Sequence, residues 1–169
     1  KALSIKMKKL GDDHPSVAGT YNNMALVYSD QGKYEEALAM HEKALSIRLK
    51  KLGDDHPDVA MTYNNMATVY RNQGKYDEAL AMYEKALSIK LKKLGDDHPD
   101  VTATKNCIQA ILEKLGKDHP NVATTYHNMA RVYDKQRKKD KEALAMYEKA
   151  LSIYSKTLGD DHPNVATVY

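Results

Sequence analysis

Five times the chain reads Asp-His-Pro: at Asp13-His14-Pro15, Asp55-His56-Pro57, Asp97-His98-Pro99, Asp118-His119-Pro120 and Asp161-His162-Pro163. An imidazole beside a carboxylate is equipment for general acid–base chemistry, and both groups ligate metal ions. Either use needs partners that converge from several directions. Here each phrase falls in its own loop, about one repeat from the next. Within a phrase the two groups are chain neighbours, and the proline fixes the chain direction. The triplet suits a helix start, where a polar side chain caps free N–H groups and a first-turn proline sacrifices no hydrogen bond. The reading is therefore structural: Asp, His and Pro together cap helices, and no catalytic residue and no metal site is expected. Nor does the sequence contain a nucleophile–base pair or a phosphate-cradling glycine loop. No cofactor and no enzymatic activity are expected. Cys107 reads as a small apolar residue.

The phrases mark a repeat. A Leu-Gly pair precedes each of them, starting at Leu10, Leu52, Leu94, Leu115 and Leu158, so the steps are 42, 42, 21 and 43 residues. The segments expected are a partial second helix at 1–10, a repeat at 11–52, a repeat at 53–94 and a half repeat at 95–115. A third repeat at 116–158 and a partial first helix at 159–169 complete a single solenoid over 1–169.

The unit from His56 to Gly95 shows what such a repeat builds. Val59, Tyr63, Met66, Ala67 and Tyr70 recur at spacings of three and four, one face of a helix. Asn72-Gln73-Gly74-Lys75 breaks it, with Gly74 the expected left-handed stop. Asp77 and Glu78 then open a second helix, and Lys90, Lys92 and Lys93 close it, each with the sign that complements the helix dipole. Its apolar stripe is Ala79, Leu80, Tyr83, Ala86, Leu87, Leu91 and Leu94. A single hairpin cannot bury that stripe, but stacked hairpins can.

These residues carry a resemblance. Tyr63, Met66-Ala67, Tyr70, Gly74, Ala79, Tyr83 and Ala86 follow the tetratricopeptide signature, and Tyr21, Met24-Ala25, Tyr28, Gly32, Ala37, His41 and Ala44 repeat it. The 42-residue unit, with Asp-His-Pro, Tyr-Asn-Asn-Met-Ala, Gln-Gly-Lys-Tyr and Lys-Lys-Leu-Gly, is similar to kinesin light chain repeats, and nephrocystin-type repeats are alike. The resemblance implies an all-α fold: an α-solenoid of antiparallel hairpins forming a right-handed superhelix, here with one irregular single helix.

That helix is expected from about Pro99 to Leu115, with Val101, Thr104, Ile108, Ile111, Leu112 and Leu115 on one face. It joins the start of a first helix to the end of a second. Lys105 stands where the family places an aromatic. The two terminal stubs would together imitate this helix, which motivates head-to-tail self-association as one reading. The start of the chain resembles the middle of a repeat, so the chain is expected to be a fragment or an engineered piece. Between Asp134 and Lys141 five cations in eight residues replace the Gln-Gly-Lys-Tyr turn, and a looser, solvated turn is expected there.

The resemblance also implies a partner surface. First helices line the concave groove in tetratricopeptide arrays. That places Asn22, Leu26 and Ser29 in the groove from one repeat, Asn64, Thr68 and Arg71 from the next, and Asn106, His127 and Arg131 further on. Amides both donate and accept, which suits gripping a peptide backbone. The first Asn of each pair is expected in the groove, and the second, Asn23 or Asn65, is expected to bond between helices. Kinesin light chains grip acidic, tryptophan-containing peptides; Arg71, Lys105 and Arg131 are the matching cations here. A protein or peptide partner is expected, with the self-associating structural solenoid as the alternative. A net charge of +3 gives no case for nucleic acid, and the apolar runs are too short to span a membrane. A single cysteine fits a reducing compartment, so a cytoplasmic location is expected.

Overall fold

A computed structural model describes residues 2–135 and 140–168. The helices are α1 (Ala2–Leu10), α2 (Pro15–Asp30), α3 (Tyr34–Leu52), α4 (Pro57–Asn72), α5 (Tyr76–Leu94), α6 (Pro99–Leu115), α7 (Pro120–Asp134), α8 (Asp140–Leu158) and α9 (Pro163–Ala166). The fold is an all-α solenoid of antiparallel helix hairpins. Its backbone contacts divide it into two units, Lys1–Thr104 and Lys105–Tyr169.

The punctuation read from the sequence sets these bounds. Proline occupies the first turn of α2, α4, α7 and α9. Gly74 turns the chain between α4 and α5 at φ +76°, a backbone region that costs a side-chain-bearing residue strain. Asp77 and Glu78 lie in the first turn of α5 and Lys92 and Lys93 in its last. The expected lone helix is α6, with Val101, Thr104, Ile108, Ile111 and Leu112 buried along it. The turn before α8 includes residues 136–139, so the looser turn expected there lies outside the described residues.

In the first unit the core is built between hairpins. Ala37 and Leu38 of α3 pack on Met66 and Val69 of α4, with Tyr28, Tyr34 and Tyr70 around them. Val59 and Ala60 of α4 pack with Ile89 of α5, joined by Leu45 and Leu49 of α3 and by Tyr63. Alanines such as Ala25, Ala44, Ala67 and Ala86 are wholly buried and let the helices approach closely. In the second unit Ala123, Ala150, Tyr154 and Val165 form the core between α7, α8 and α9.

Candidate protein-interaction face

The five Asp-His-Pro phrases divide their labour, and the division differs from the expectation. The cap is the histidine alone. In each phrase its Nδ1 accepts the N–H two residues on, at 3.1 Å for His14, His56 and His98, 3.3 Å for His119 and 3.2 Å for His162. In three of the phrases the aspartate before it does something else. Asp13 pairs with Lys50, Asp55 with Lys92 and Asp118 with Lys156 at 2.7 Å, each tying a loop to the last turns of the second helix of the same hairpin. Among the described residues no three His, Cys, Asp or Glu side chains converge on a point that would hold a metal ion.

A second periodic device joins consecutive elements. Arg48 of α3, only 5% exposed, donates to Thr62 Oγ1 at 2.6 Å and to the Asp58 carbonyl at 3.1 Å in α4. Thr62 in turn donates to that same carbonyl at 2.9 Å. Lys6 makes the same approach to Thr20 and the Ser16 carbonyl, and Lys90 to Thr104 and the Asp100 carbonyl. Burial lowers the Arg48 pKa, and Asp58 opposes that shift. In the second unit the corresponding positions are Ile111 and Tyr154, both buried, and Tyr154 packs on Val165. The signal for this device was present: a cation recurs inside an apolar stripe at Lys6, Arg48 and Lys90.

The asparagines expected to present amides to a partner are committed inside the first unit. Asn22 is 6% exposed, and its Oδ1 accepts from Nδ2 of Asn65 at 3.0 Å. The second Asn of one repeat thus bonds to the first Asn of the other. Asn65 bonds between helices as expected, but Asn22 is not open to a groove, and Asn23 is the exposed member of its pair. Asn64 is half-buried, and its Oδ1 receives Lys90 and Thr104, each at 3.3 Å. Thr68 lies 3.1 Å from the Tyr83 hydroxyl and donates to the Asn64 carbonyl. Leu26 remains 44% exposed, while Ser29 and Arg71 are half-buried.

In the second unit Asn106 and Arg131 are exposed. His127 is half-buried, its ring edge-on to Tyr147 at 5.5 Å between centroids, and its Nδ1 is buried without a partner. Burial first, then Arg131, lowers its pKa. Lys105, standing where an aromatic was expected, places its ammonium 5.1 Å from the ring centre of buried Tyr133. Lys43, Lys85 and Lys149 likewise cover Tyr21, Tyr63 and Tyr126, each from the second helix of the same hairpin.

One tetratricopeptide repeat family model matches residues 1–50, 16–92 and 58–106, and another matches residues 122–164. The chain belongs to the tetratricopeptide repeat family. Among solved structures it is similar to a protein of the kinesin light chain type from Podosopora anserina with nearly identical TPR-like repeats. The two are 25% identical with a TM-score of 0.58, over 92% of this chain and 83% of that one. BtubC (BKLC) from P. vanneervenii shares the fold at 22% identity and a TM-score of 0.52, over 98% of this chain and 60% of that one. Together with its 42-residue unit, these matches make the chain a kinesin light chain-like tetratricopeptide protein. No curated protein sequence matches it. The family fold supports a protein-interaction or scaffold role, and such repeats are generally non-catalytic. Among the described residues no helix is long and apolar enough to cross a membrane.

Proposed function

We propose that the chain is a non-catalytic cytoplasmic scaffold whose first-helix faces bind an extended peptide or a helix of a partner protein. The observation that carries this reading is the contrast along the first helices of the first unit. Asn22 and Asn64 are occupied within the protein, while Leu26, a large apolar side chain, stays 44% exposed on the same helix as Asn22. Amides already bonded within the protein, with the exposed Leu26 of α2 and the half-buried Arg71 of α4 as the groups offered, would make a preformed surface that needs little ordering on binding. Leu26, Ser29, Thr68 and Arg71 are the contacts proposed in the first unit, with Asn22 and Asn64 holding them in place. Asn106, His127 and Arg131 are those proposed in the second.

The test is selection of binding peptides from a random display library against the whole chain, followed by titration of the variants. Leu26→Asp and Arg71→Glu are expected to weaken the selected peptides at least tenfold, while Ser88→Glu on the exposed side of α5 leaves them unchanged. Loss in the Ser88 variant with retention in the other two moves the site to the outer face.

A self-associating solenoid is the alternative reading. Light scattering of the chain across a hundredfold concentration range tests it; a constant monomer mass defeats it, and a mass that rises with concentration supports it.

A further inference from the structure

His41 lies on α3 with no exposed surface, and neither of its ring nitrogens has a hydrogen-bond partner. Buried polar atoms are nearly always bonded, so this pair requires a reason. The repeat supplies the comparison. The residue corresponding to His41 in the next hairpin is Tyr83, whose hydroxyl sits 3.1 Å from Thr68 of α4. Thr68 corresponds to Leu26 of α2. The first hairpin has therefore replaced both ends of that contact, tyrosine by imidazole and threonine by an aliphatic chain.

A neutral imidazole in that place packs as a flat, mostly apolar ring. A protonated one is a buried cation that needs an anion. The packed elements supply none at the ring. The one acidic residue of α2 is Asp30, exposed in its last turn; α4 carries Asp58 and Arg71. On α3 itself Glu35, Glu36, Glu42 and Lys43 are all exposed, and the charge that acts on the ring is Arg48, which repels a proton. The Arg48 guanidinium is held facing α4 by Thr62 and the Asp58 carbonyl.

We propose that His41 is an acid-sensitive latch of the first hairpin, whose protonation loosens the packing of α3 on α2. Burial, reinforced by Arg48, lowers the imidazole pKa from 6.5 to about 4. Between those values the unfolded chain binds more protons than the folded one, so stability falls as the pH drops from about 6.5 towards 4 and is untouched above that window. Each pH unit inside the window shifts the opening equilibrium by up to about tenfold. The latch acts whether or not the face binds a peptide.

The experiment is hydrogen exchange read by mass spectrometry at pH 7.5, 6 and 5, corrected for intrinsic exchange, on the whole chain. The variants are the Leu26→Thr/His41→Tyr double substitution, which rebuilds the contact of the second hairpin, and His41→Phe, which has no titrating group. The expected result is that the native chain loses about tenfold more protection in α2 and α3 from pH 6 to 5 than either variant does. Identical acid profiles overturn the proposal. If both variants fold poorly, an NMR titration of the His41 ring in the native chain decides: a midpoint well below 6.5 that coincides with the loss of protection supports the latch, and an ordinary midpoint overturns it.

Discussion

The side-chain amide of Asn65 in α4 donates to the side-chain carbonyl of Asn22 in α2 across 3.0 Å, with Asn22 almost wholly buried. This bond joins two first helices directly. It explains why a mediocre helix former is tolerated in the middle of both: each amide works between helices rather than along one. Asn22→Ala leaves the Asn65 donor without its acceptor. It is expected to cost about 1–2 kcal/mol, and Asn65→Ala a similar amount. Urea unfolding of both single variants and the double variant checks this. The two costs should fail to add, with a coupling of about 1 kcal/mol; full additivity means the bond contributes nothing.

Arg48 is the most buried of the three cations that reach from one helix to the next threonine, at 5% exposure. Arg48→Met keeps the apolar stem and removes two charge-assisted bonds. Thr62 still donates to the Asp58 carbonyl, so no acceptor is stranded. A loss of about 1.5–3 kcal/mol is expected. Arg48→Lys should recover most of it, because Lys6 and Lys90 perform the same task at equivalent positions. A lysine variant as unstable as the methionine one would show that the planar guanidinium matters in a way the other repeats do not share.

The caps and the loop aspartates separate cleanly by substitution. His56→Ala removes the acceptor for the Asp58 N–H and is expected to cost about 1 kcal/mol, while His56→Asn should retain most of that. Asp55→Asn breaks an exposed ion pair with Lys92 and should change the denaturation midpoint little, by an amount that shrinks further in added salt. An aspartate variant more damaging than the histidine one would reverse the division of labour between them.

Much of the architecture was legible in the residues themselves. The 42-residue step, the apolar positions at three and four, Gly74 after α4 and proline at the helix starts all act through local backbone geometry, so a single chain displays them. The continuous helix between Pro99 and Leu115 was equally legible, because nothing inside it breaks the helical pattern. The candidate face was legible only in outline. Spacing places Asn22, Leu26 and Ser29 on one helix within reach of one face, and it carries no information about how far that face is covered.

The sequence by itself determined where helices begin, end and repeat, since propensities, caps and periodicity are properties of a few neighbouring residues. Tertiary structure decided which polar groups are bonded within the protein. That depends on side chains about 10 to 43 residues apart: Arg48 with Asp58, Thr62 with Arg48, Asn65 with Asn22. Burial makes such pairings obligatory, because a buried polar group without a partner is costly. It thereby turned Asn22 from a presumed contact into framework, and left His41 as the side chain whose environment no local pattern foretells.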